Sequence, residues 1–257
     1  MKNSLTIAIL VLLIVLIGLP KSQPTKEVES VKLHWGDLGA RLVASGVIDV
    51  EKLPAGYDAW LTDQKLAPLE ITAANSHQWL NLFWALGLAN KNPILESGEM
   101  MDARYGGAGN FASTGGWTLA RGPTMDHYSQ HQFVTLTPEQ QAIVDRLARG
   151  IYRPCCNNSA HFPDCNHGMA MLGLLELMAA QGASEEEMWQ MALIANTYWF
   201  PDHYRTIAVY FKNQGVEWDA VKPREVLDAQ YSSASGYAKI AASLASSERQ
   251  EQVSCGV

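Results

Sequence analysis

The stretch RPCCNNSAHFPDCNHG, Arg153 to Gly168, holds three of the four cysteines in the chain and two of its seven histidines. Thiolate sulfur and imidazole nitrogen are the donors of tetrahedral zinc sites and of soft copper or iron–sulfur sites. Cys155, Cys156, Cys165 and His167 therefore make a candidate four-ligand set for zinc or copper, with His161 and Asp164 as reserve ligands. The spacing, C-C-x8-C-x-H, differs from the C-x2-C pair of zinc ribbons. Adjacent side chains tend to diverge, so Cys155 and Cys156 need a turn to face one ion. Cys165 and His167 are two apart and share no face of a regular helix. They converge only if the following helix begins at about Asn166 and leaves Cys165 outside it. If Asp164 is the cap instead, Cys165 takes the first helical position and the helix dipole stabilises its thiolate.

That second arrangement predicts thiol–disulfide exchange, with a bond such as Cys156–Cys165 and Cys155 as the attacking or resolving thiol. A third reading is structural: one disulfide staples the turn of a non-catalytic helical interaction module. Cys255, third from the end, is remote in sequence from the others, and its pairing stays open.

Other donors are more scattered. His127 and His131 are four apart, the spacing of a chelating pair on one helix face and equally of two exposed polar histidines. They are possible additions to the site, but no H-E-x-x-H accompanies them. Most methionines fall at core spacing, and Met169 and Met171 are the thioethers nearest the cysteines. The glycine-rich run SGEMMDARYGGAGNFASTGGWTLARGP, residues 97–123, lacks the Gly-Lys-Ser/Thr ending of a phosphate loop and reads as a long irregular loop laid over the domain.

The elements that must position the cluster read as helices. TPEQQAIVDRLARGIY carries an N-cap at Thr137, Pro138 in the first turn and a capping box closed by Gln140. Pro154 then delivers the chain to Cys155. After the cysteines, Met171, Leu174, Leu175 and Met178 line one side of a second helix that Gly182 terminates. Ser184 and Glu187 form another capping box, opening a helix that Pro201 stops. An apolar helix is expected over 75–90, and further helices over 204–213 and 223–244. Without a run of alternating strands, the fold class is mainly α: a helical globular domain with a long Gly-rich loop.

Composition sets the outer bounds. Of 257 residues, 47 % are apolar, enough for a sizeable core, and the net charge of −7 without a basic run excludes a general nucleic-acid binder. The start of the chain, MKNSLTIAILVLLIVLIGLP, has Lys2 followed by an uncharged run over residues 5–19. Its flank lacks a small-x-small cleavage site, which favours an uncleaved membrane anchor over a cleaved signal peptide. The expected organisation is an anchor or signal over 1–20, a linker over 21–30, an extracytoplasmic helical domain over 31–250 and a tail over 251–257. The partners this implies are the membrane, through residues 5–19, and another exported protein.

The segment from Cys155 to Trp189 resembles two exported families. It is similar to the haem-ligation thiol reductases of cytochrome c maturation, in which C-x-x-C-Q-N-x-S precedes a helix and a G-x-S-x-x-E-I turn leads into the next. Cys156, Asn158, Ser159, Gly182, Ser184 and Glu187 carry that likeness, with C-C standing in place of C-x-x-C. It also resembles small exported proteins with a PCYCGC motif and a later Asp-Cys and His before a similar helix. That second likeness implies that Cys155, Cys156, Cys165 and His167 act together. Both imply an exported protein with working cysteines.

Overall fold

The computed structural model describes residues 33–62 and 68–254. The expected anchor, signal and linker over 1–30, and Cys255, lie outside the described residues. No helix within them is long and apolar enough to cross a membrane.

Twelve α-helices and six short 3₁₀ turns make up the described residues, with two isolated β-bridges and no sheet. In chain order they are α1 (Leu38–Ala44), α2 (Asp58–Thr62), α3 (Ser76–Ala89), α4 (Pro93–Ser97), α5 (Ala112–Gly115) and α6 (Pro138–Gly150). They continue with α7 (Asn166–Ala180), α8 (Glu185–Trp199), α9 (Pro201–Asn213), α10 (Pro223–Val226), α11 (Ala229–Ser232) and α12 (Ala234–Ser254). The mainly helical class is as the sequence indicates.

Local chemistry explains most boundaries. Helices α4, α6, α9 and α10 open on proline, whose fixed φ and missing N–H suit the first turn. The Thr137–Gln140 and Ser184–Glu187 capping boxes both form. Pro201 stops α8 and also starts α9, and Gly182 supplies a left-handed turn (φ +77°) after α7. The segment 223–244 divides into α10, α11 and α12, because Asp228 caps α11 and extended Ser233 separates it from α12. Helix α12 runs to Ser254, into the segment expected as a tail.

Helices α3 and α7 form the centre. Both are apolar almost all round, and every residue of α7 from Gly168 to Ala179 is buried. They cross at a pair of glycines. A Cβ on Gly87 would stand 2.1 Å from the Met169 carbonyl, and one on Gly173 would stand 2.3 Å from the Phe83 carbonyl. Only glycine permits so close a backbone approach. The other helices pack outward from this pair, and one continuous core extends from Leu33 to Ile240.

A polar knot sits inside that core. Glu176 of α7 is fully buried and accepts a 2.5 Å hydrogen bond from Asn92 Nδ2, while Asn92 and Gln141 pair side chain to side chain. Burial, only partly offset by bonds from Asn92 and Asn90, drives the Glu176 carboxyl well above its ordinary range.

Candidate metal centre

The cysteine turn lies between α6 and α7. Helix α7 begins at Asn166 with Cys165 as its N-cap. Of the two arrangements open in the sequence, this is the one that lets Cys165 and His167 converge. Asp164 is not the cap, because its carboxylate is taken: Oδ1 accepts from Arg153 Nη2 (2.6 Å) and Oδ2 from Asn158 Nδ2 (2.8 Å). The sulfur of Cys165 takes the capping role and accepts the Gly168 N–H at 3.4 Å.

Three sulfurs and one nitrogen gather around this cap. Cys155 Sγ lies 3.5 Å from Cys165 Sγ and 4.0 Å from His167 Nδ1, and Cys156 Sγ lies 4.0 Å from Cys165 Sγ. The donors form two triads that could hold a metal ion, Cys155–Cys165–His167 and Cys156–Asp164–Cys165, sharing Cys165. Cys155 is exposed and the other cluster residues are half-buried. Among the described residues, Cys155, Cys156 and Cys165 are free and no disulfide joins them.

The dominant neighbour is Arg153, whose side chain is 2 % exposed. Its guanidinium donates to Cys165 Sγ (3.2 Å), Asn158 O (2.7 Å), Phe162 O (3.2 Å) and Asp164 Oδ1 (2.6 Å). Glycine at 168 makes room for it, since a Cβ there would stand 2.4 Å from the guanidinium. Hydrogen bonds from Cys155 and Cys156, then from His167, with the charge of Arg153, hold the Cys165 thiol far below its ordinary value. The donating partner Cys155 is raised, first by its bonds to Cys156 and Cys165. For Cys156, a bond from Cys155 favours the thiolate, but Cys165 and burial outweigh it and push the thiol up to about 11. The three thiols titrate together, and the Arg153 guanidinium favours the charged form at Cys165.

The remaining sequence candidates lie apart from this group. His161 is buried, with Nδ1 2.7 Å from Glu99 Oε2 and Nε2 2.8 Å from Asp145 Oδ1, so both its ring nitrogens are occupied. His127 and His131 stand on a turn and an isolated bridge, not on a helix. Their rings stack, with Nδ1 of one 3.1 Å from Nε2 of the other, and His127 Nε2 faces Arg121 O. Met169 and Met171 are buried in the core. The Gly-rich segment contains α5 and three 3₁₀ turns, and it braces the cysteine turn: Ser113 N–H donates to Asp164 O at 3.0 Å, and Tyr105 and Phe111 pack on Phe162.

Two contributors escaped the sequence reading. Arg153 left no sign except its position before Pro-Cys-Cys. Phe200, at the α8–α9 junction, packs on the His167 ring with centroids 4.3 Å apart and fixes its plane. Comparison with family models, with curated proteins and with solved structures returns no match. The arrangement itself therefore defines the class: a helical protein with a Cys/Cys/His cluster that could hold a metal ion.

Proposed function

We propose that this chain binds a soft transition metal, zinc or cuprous copper, through Cys155, Cys165 and His167, with Cys156 and Asp164 in an adjoining triad that shares Cys165. The observation that carries this reading is the spacing of the donors. Zinc bonds of about 2.3 Å to sulfur and about 2.0 Å to nitrogen, set tetrahedrally, put ligand sulfurs about 3.8 Å apart and sulfur and nitrogen about 3.5 Å apart. Within the Cys155–Cys165–His167 triad, the 3.5 Å sulfur pair and the 4.0 Å sulfur–nitrogen pair lie within about 0.5 Å of those edges.

Charge supports the same reading. With all three thiols ionised, they and Asp164 outweigh a divalent ion and Arg153 by a single negative charge, which a half-buried site can sustain. The nitrogen donor suits zinc, while cuprous copper would rely on the sulfurs. Export, with the site outside a membrane that residues 5–19 would hold, is supported by the uncharged run at the start of the chain.

The test is intact mass of the full-length protein, purified under reducing conditions and measured natively and after denaturation. One metal ion per chain, lost on denaturing, with protons released on rebinding, is the expected result. Absence of bound metal, together with no stabilisation by added zinc or cuprous ions, would overturn the reading.

A further inference from the structure

We infer that the metal site is gated by its own sulfurs: oxidation of Cys155 and Cys165 to a disulfide by an incoming disulfide expels the ion. The inference rests on the metal reading and adds the regulation of that site.

Three observations point to this pair. Cys155 is the exposed member of the cluster, so it meets a soluble oxidant first. Its sulfur is 3.5 Å from Cys165 Sγ, nearer than the 4.0 Å between the Cys156 and Cys165 sulfurs, and a closure of about 1.5 Å makes the bond. Cys156 competes poorly: its sulfur sits 4.0 Å from Cys165 and faces Asn158 O and Asp164 Oδ1, and its carbonyl is pinned by the Ala234 N–H at 2.9 Å.

The exchange balances in two steps. The Cys155 thiolate attacks one sulfur of a low-molecular-weight disulfide, forming a mixed disulfide and releasing one thiolate of the oxidant. The Cys165 thiolate, held against Arg153, then attacks Cys155 Sγ and displaces the second. Two electrons pass to the oxidant, whose two thiolates take up protons from solvent, and Cys155–Cys165 is the new bond. Two ligand sulfurs and two negative charges are withdrawn from the ion together. The donors left, Cys156, Asp164 and His167, belong to different triads, and the buried Arg153 cation now faces the metal with less opposing charge.

The experiment takes the full-length protein loaded with zinc, adds oxidised glutathione without oxygen, follows released zinc with a chromogenic chelator and maps disulfides by peptide mass. Mapping also separates any bond made by Cys255. One zinc released per Cys155–Cys165 bond, with binding restored by a reductant, is expected. Zinc retained after the bond forms, zinc released without it, or a Cys156–Cys165 bond in its place would overturn the gate. A protein that takes up no zinc before the oxidant is added would instead overturn the metal reading itself.

Discussion

Replacing Arg153 by methionine removes the one buried cation of the cysteine turn and little of its apolar volume. The guanidinium serves four acceptors at 2.6–3.2 Å, two of them ionic, Asp164 and the Cys165 thiolate. Taking one partner from a buried charged pair costs about 3–5 kcal/mol, because the remaining charge is left uncompensated. The carbonyls of Asn158 and Phe162 lose a donor as well, so R153M should fall at the upper end of that range. For a domain of this size each kcal/mol lowers Tm by about 2–4 °C, so the metal-free variant should melt about 10–20 °C lower.

The assay is urea unfolding of wild type, R153M and R153K, reduced, with chelator and with saturating zinc. A bound divalent ion neutralises the thiolate that Arg153 otherwise faces, so the R153M loss should be smaller with zinc than without. R153K keeps the charge but lacks the planar fork, and should lie between the other two. An R153M loss below about 1 kcal/mol, or one identical with and without zinc, would refute the assignment of Arg153 as charge partner of the cluster.

Three further substitutions probe the surrounding geometry. G168A places a methyl group 2.4 Å from the Arg153 guanidinium, so it should lower zinc affinity, read by competition with a chromogenic chelator, while leaving helix content by circular dichroism intact. G173A drives a Cβ to 2.3 Å from Phe83 O, a backbone atom that cannot yield alone; chemical denaturation should show a loss of about 1–3 kcal/mol or more as α3 and α7 separate. Glu176 gives a pH signature. Burial raises its folded pKa above the ordinary 4.5, so the proton it keeps on folding stabilises the chain fully below that pH. That contribution is lost as pH climbs toward the folded value, by about 1.4 kcal/mol per unit. The stability of wild type relative to E176Q should therefore decline with rising pH from 4.5 upward, and a flat difference in urea titrations between about pH 5 and 8 would contradict the upward shift of Glu176.

What the sequence could reveal depended on how local each cause was. Both capping boxes and the proline starts are settled within four residues, and they form where the residue types indicate. The cluster was visible because scarce thiols stand close together. The start of α7 was ambiguous because Asp164 and Cys165 are both acceptors, and the choice fell to Arg153, which occupies the carboxylate from eleven residues upstream. In sequence His161 and His167 are equivalent neighbours of the cysteines. What separates them is Glu99, 62 residues away, which binds one nitrogen of His161 while Asp145 binds the other. Arg153 owes its importance to the carbonyls of Asn158 and Phe162, and backbone acceptors leave no mark on residue identity.

The turn that carries the thiols is held from both sides by parts of the chain far from it in sequence. Ser113 of α5 donates its N–H to Asp164 O, Ala234 at the start of α12 donates to Cys156 O, and Ser235 N–H donates to Asn157 Oδ1 at 2.8 Å. An ion held in this turn would therefore also fix the Gly-rich segment against one flank and α12 against the other. Ligand binding to the native state lowers the population of every open form that lacks the site. Saturating zinc should slow hydrogen exchange at the amides of Ser113, Ala234 and Ser235, none of which touches the metal, while the exposed end of α9 is little changed. Protection confined to residues 155–168 would mean that the turn binds its ion as an isolated loop, and that the clamping bonds carry no coupling between the site and the fold.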